Sequence, residues 1–125
     1  MKITFISDTH TKHREINKDL PGGDLIIHAG DFMNSGYESQ DVADFVNWYS
    51  SLLTMDYKHR VFIAGNHDRM FEDYPNLAKE LINAYSGGLI YLQAHNTRFV
   101  YQIVLCTTGL LIQHHLSLGY SALLS

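Results

Sequence analysis

Cysteine is nearly missing. Cys106 is the one thiol in 125 residues, so no internal disulfide can form, and a reducing, cytoplasmic address is expected. Long apolar runs are missing as well. The opening run Ile3-Thr4-Phe5-Ile6 is too short for a signal-peptide core, and polar residues such as Gln102, Thr107, Thr108 and Gln113 interrupt the about 18 apolar residues that a membrane span needs. Basic residues are scarce. Nine Lys and Arg against thirteen Asp and Glu give a net charge of −4, which argues against a general electrostatic footprint for nucleic acid or an anionic membrane. An anionic substrate must then be held by something other than net charge. No internal repeat or low-complexity tract is present, and 46% hydrophobic residues exclude a disordered chain. A length of 125 residues supports one domain.

What is present is organised in its first three quarters. Lys2–Ser7, Asp24–Ala29, Arg60–Ala64 and Leu89–Leu92 are short apolar runs bounded by Gly, Asp or Asn, and each predicts a strand. Val42, Phe45, Val46, Tyr49, Leu52 and Leu53 recur at helical spacing, with Ser39 placed to cap and Asp41 in the first turn. A second helix is expected from Pro75 through Leu77, Leu81, Ile82 and Tyr85, stopped at Gly87-Gly88. Apolar strands alternating with helical crossovers predict an α/β fold, a parallel sheet covered on both faces. Every Asp and Glu lies at or before Glu80, and no formally charged side chain follows Arg98. Within that tail, Phe99–Leu105 could be a strand and Leu110–Leu124 a helix or a strand pair.

Histidine is the one unusually frequent residue, eight in all, and it falls beside carboxylates at strand ends. Ser7-Asp8-Thr9-His10 follows the first strand, Gly30-Asp31 the second, and Gly65-Asn66-His67-Asp68 the third. In an open parallel sheet the carboxyl ends of the strands line one crevice, so the three clusters should converge. Asp8 and His10, two apart in extended chain, would face the same side and meet one cation. Asp31 has two oxygens and can bridge two cations, and Asn66 offers a neutral carbonyl oxygen to the second. Mixed nitrogen and oxygen ligation suits Mn, Fe, Zn or Ni, and the lack of clustered thiols argues against a structural zinc site. His67 would face the same crevice, with Asp68 next to it to fix its orientation or protonation. Two such ions can activate water and clamp an in-line displacement, which is the chemistry of phosphoester hydrolysis.

Asp-x-His, Gly-Asp and Gly-Asn-His-Asp in this order resemble the first three blocks of the calcineurin-like metallophosphoesterase superfamily. The longer stretches Phe5–His10, Ile27–Phe32 and Ile63–Asp68 are similar to its small single-domain branch that includes the MPPED proteins. The likeness covers about residues 1–94. It implies that Asp8 and His10 hold a first metal, Asp31 bridges, Asn66 holds a second and His67 contacts the phosphate. It implies too a four-layer αββα sandwich of two sheets and activity on phosphodiesters or phosphomonoesters, with a small phosphoester as substrate. The family's later His after Gly and its Gly-His-x-His block have no counterpart here, so the first metal lacks one His and the second two. The expectation is therefore a truncated N-terminal half, residues 1–94, followed by a divergent tail, 95–125, left by frameshift, truncation or divergence. Hydrolysis would be impaired. The rival expectations are a non-catalytic binding or scaffolding protein of the same fold, or a frameshifted fragment.

Other residues have plainer readings. His28, inside a buried strand, reads as a hydrogen-bonded core histidine first and a support for a ligand second. His13 and Arg14 read as part of a solvated turn, His59 and Arg60 as surface, and Phe45, Trp48, Tyr49 and Phe62 as core. His95, His114 and His115 lack the family context and carry no role.

Overall fold

The computed structural model describes residues 1–52, 57–85 and 88–93. The four apolar runs form one parallel sheet of β1 (Ile3–Ile6), β2 (Gly23–His28), β3 (Tyr57–Phe62) and β4 (Ile90–Tyr91), in the order β1-β2-β3-β4. Ile6, His28, Phe62 and Tyr91 lie abreast in this register. A 3-10 helix (His13–Asp19) joins β1 to β2, α1 (Ser39–Ser51) joins β2 to β3, and α2 (Arg69–Asp73) with α3 (Pro75–Tyr85) joins β3 to β4. The expected tail elements Phe99–Leu105 and Leu110–Leu124, the second sheet, and His95, His114 and His115 lie outside the described residues.

The sheet was expected to be covered on both faces. Among the described residues the helices gather on one. Strands that always step the same way, joined by right-handed crossovers, must place every crossover on the same side. The core follows from this: Ile26 and Phe62 of the sheet pack with Phe45, Val46, Trp48 and Tyr49 of α1, Met70 and Phe71 of α2, and Ala78 and Ile82 of α3. Phe45 stacks on Phe32 at 4.0 Å between ring centroids and meets Phe62 edge-on at 5.3 Å. On the other face Ile27 and Val61 are buried, Phe5 and Leu25 half-buried and Ile90 exposed.

Three local readings are corrected. Ser39 opens α1 as its first residue and does not cap it; Glu38 holds the cap position without a side-chain bond, and Asp41 accepts from the Asn34 amide at 3.0 Å. The stretch around His13 is the 3-10 helix, with His13 fully buried against Trp48 (4.7 Å) and 2.9 Å from Asp44. Arg60 is buried: β3 starts at Tyr57, three residues earlier than its apolar run suggests, and Arg60 pairs with Ile26 on the face that α1 covers. From mid-strand its guanidinium reaches the Ser50 carbonyl near the end of α1, where a cation suits the helix dipole. Among the described residues no helix is long and apolar enough to cross a membrane.

Candidate metal centre

β1, β2 and β3 all run the same way, so their carboxyl ends deliver three loops to one edge of the sheet. The first loop continues beside the second as if the ladder went on: Asp8 N–H donates to Gly30 O (3.0 Å), His10 N–H to Asp31 O (3.1 Å) and Thr11 N–H to Phe32 O (2.8 Å). To do so the chain leaves the extended region expected of Asp8-Thr9-His10. Asp8, His10, Thr11 and Asp31 all have positive φ (55°, 40°, 67° and 59°), which costs about 1–3 kcal/mol per residue and persists only because the surroundings hold it.

That turn brings the ligand groups together. Asp8, His10 and Asp31 each offer an atom lying within 4.8 Å of the others. Asp8 is exposed, His10 partly so, and Asp31 is buried. His10 Nδ1 lies 3.0 Å from the Met33 carbonyl, which can only accept, so the ring proton sits on Nδ1. Nε2 lies 4.0 Å from Asp8 Oδ1, and in the neutral ring it carries the lone pair that a metal would use. One oxygen of Asp31 accepts the His67 amide at 2.8 Å, which ties the third loop to the second. The His67 ring stands edge-on to His10 at 5.3 Å, and Asn66 and His67 are exposed at the loop tip.

Asp68 was expected to orient or protonate His67. Its carboxylate instead accepts three backbone amides, from Asp31 (2.7 Å), Gly65 (2.8 Å) and Met33 (2.9 Å). Burial pushes its carboxyl up to about 6, against the three amide bonds that favour the charged form. It acts on the loops and reaches His67 only through the chain. The loops also cross backbone to backbone at Gly30 and Gly65. A Cβ on Gly30 would strike Gly65, and one on Gly65 would lie 2.6 Å from the Asp31 amide nitrogen and 2.7 Å from its carboxyl carbon.

Two residues support the site: His28, read from the sequence as core first and as a ligand's support second, and Thr9, which was not singled out. His28 is fully buried at the end of β2, with Nδ1 accepting the Gly30 amide (3.1 Å) and Nε2 2.9 Å from Thr9 Oγ1. Burial pushes its imidazole down to about 3, so it is neutral near pH 7. A polar residue ending an apolar strand one turn before Gly-Asp was the available signal for His28; the x of Asp-x-His gives none for Thr9.

A donor set of two carboxylates and one imidazole lone pair, with no Lys or Arg paired to either carboxylate among the described residues, fits a divalent ion of the Mn, Fe or Zn type. The chain is 40% identical over 73 residues to a UPF0046 protein of Caenorhabditis elegans, a stretch covering 58% of this chain and 25% of that protein. It is 42% identical over 71 residues to human metallophosphoesterase domain-containing protein 1, covering 57% of this chain and 20% of that one. The aligned stretch thus spans about a quarter or less of these relatives' length. No solved structure matches the chain. The family profile described as calcineurin-like phosphoesterase matches residues 1–120, beyond the 94 residues over which the motifs alone carry the likeness, and the chain belongs to that family.

Proposed function

We propose that the chain is a metal-dependent phosphoester hydrolase acting on small phosphodiesters or phosphomonoesters, with Asp8, His10 and Asp31 as its cradle. The observation that supports this reading is the gathering of those three donors within 4.8 Å, with His67 beside them. They would hold a divalent transition ion, Mn, Fe, Zn or Ni, and Asn66 would offer its amide oxygen to a second one beyond Asp31. Bound there, such ions supply a water acidified towards neutral pH and positive charge for the phosphoryl oxygens. The protein's own part is to place and to protonate. The Asp31 carboxylate accepts the His67 amide, so the backbone that carries the imidazole is held beside the cradle. His67, exposed at the loop tip, would donate to a phosphoryl oxygen or give its proton to the leaving alkoxide. Substrate attraction rests on this site, since the net charge of −4 offers none and gives no footprint for nucleic acid or membrane.

The test is a Mn²⁺ titration of the melting temperature alongside hydrolysis of an aryl phosphodiester. Wild-type protein should gain about 2.7 kcal/mol at a hundredfold excess of Mn²⁺ over Kd. Asp31→Ala should lose both the shift and the turnover. His67→Ala should keep the shift and lose turnover by about a hundredfold. An Asp31→Ala variant with an unchanged shift removes the cradle, and a His67→Ala variant with unchanged turnover removes His67 from the reaction.

A further inference from the structure

We propose that His28 is a positioning residue of this centre: its imidazole locks the loop bearing Asp8 and His10 to the loop bearing Asp31, and metal affinity depends on the lock. The inference rests on reading Asp8, His10 and Asp31 as metal ligands.

The hydrogen bonds fix the direction of the lock. The Gly30 N–H can only donate, so Nδ1 of His28 is an acceptor, and the ring proton must sit on Nε2. That proton goes to Thr9 Oγ1, 2.9 Å away. One ring therefore grips the residue between Asp8 and His10 with one nitrogen and the residue before Asp31 with the other. Both loops carry left-handed backbone at their ligand positions, which relaxes unless it is held. Thr9 and His28 are both buried. Away from water, two directional bonds hold harder than they would at the surface.

The packing around the ring serves the same end. Phe45, Phe32 and Tyr49 present to it at 5.0, 5.9 and 6.2 Å, all near-perpendicular, and so set its plane. Their apolar surroundings keep the imidazole neutral, with burial lowering its pKa to about 3, and only the neutral ring has an acceptor for Gly30. A residue that merely filled core would need neither bond. Here each bond ends on a different ligand-bearing loop.

The experiment measures Mn²⁺ affinity by calorimetry and, in the metal-free protein, hydrogen exchange of the His10 amide, which bonds across the two loops. Thr9→Val removes the hydroxyl at almost constant shape and should weaken Mn²⁺ binding ten- to a hundredfold, the usual effect of losing a partner behind a ligand. Thr9→Ser restores the hydroxyl and should recover most of the affinity. His28→Phe should match the Thr9→Val loss or exceed it, and the double variant should bind no more weakly than His28→Phe. His10 amide exchange should quicken at least tenfold in Thr9→Val and in His28→Phe. Folded Thr9→Val with wild-type affinity and wild-type exchange overturns the proposal, as does a double variant whose losses add in full. Should His28→Phe fail to fold, the Thr9→Val and Thr9→Ser pair decides. A wild-type chain that takes up no Mn²⁺ overturns the hydrolase reading instead, and the exchange measurement then judges the lock by itself.

Discussion

The layer beneath α1 is buried and the loops at its edge are partly open to solvent, and the two are built from different interactions. In the layer, Phe32, Phe45, Tyr49 and Phe62 meet at 4.0 to 6.1 Å in a mixture of stacked and edge-on pairs. Such contacts are numerous, individually weak and loosely directional, so one can change while its neighbours adjust. In the loops, single atoms carry the arrangement: one Asp68 carboxylate holds three amides, one His28 ring joins two loops, and two glycines touch where no Cβ fits. The layer supplies the apolar core. The loops fix where the candidate ligand groups lie.

The sharpest way to break that contrast is Gly65→Ala. Its methyl group would meet the Asp31 amide and carboxyl, so stability should fall by about 3 kcal/mol, in the upper range for overpacking, and the Mn²⁺ response should disappear. A loss below about 1 kcal/mol with Mn²⁺ binding intact would show that the crossing has slack.

Acid comes next, acting where loop and layer meet. His28 has a folded pKa near 3 against 6.5 unfolded, so the unfolded chain binds the extra proton first. Its contribution is complete above pH 6.5 and is lost as pH falls from 6.5 towards 3. Burial lowers the pKa of His13 too, against the pull of Asp44, which adds in the same direction. Stability from urea titration should therefore lose about 2 kcal/mol from His28 on going from pH 8 to pH 5, partly offset by Asp68, whose carboxyl, raised to about 6 in the fold, takes up a proton in the same window. An equal drop in His28→Phe would mean that the ring is not held in its neutral form.

The mildest probe is Phe45→Leu. It should cost about 1 kcal/mol, with Mn²⁺ affinity within twofold of wild type. A larger change in affinity would show that the layer reaches into the centre and that the two regions are not separate.

The sequence makes some of this legible and hides the rest for physical reasons. β1 and β2 are visible because their apolar runs end at Asp, Gly or Asn, and α1 because Val42, Phe45, Val46 and Tyr49 repeat at helical spacing. The start of β3 is hidden because Lys58 and His59 are exposed on it and read as loop. The 3-10 helix is hidden by the charges of Lys12, Arg14 and Glu15, although His13, Ile16 and Leu20 all turn inward and Asn17 accepts the Trp48 indole N–H at 2.7 Å. α2 is short, and only Met70 and Phe71 mark its buried side. At the site, the residue types are visible in three short motifs. The work of Asp68 is not, because a carboxylate bonded to backbone amides leaves no pattern in its partners' side chains. The one-sided placement of the helices was also hidden, since it depends on strand order, which no local pattern records.

The Asp31 amide and the Asp68 carboxylate that receives it are 37 positions apart. Bringing them together costs the closure entropy of that whole stretch, and closure waits on the docking of β3 against β2. Asp8, His10 and Asp31 all leave the ribosome early, but the shape that makes them one ligand set is imposed late, from residue 68. A nascent chain therefore carries the donors without the cradle. Capture of an ion in native geometry would then wait on that closure, so an occupied centre would report that the crossover from β2 through α1 to β3 is in place.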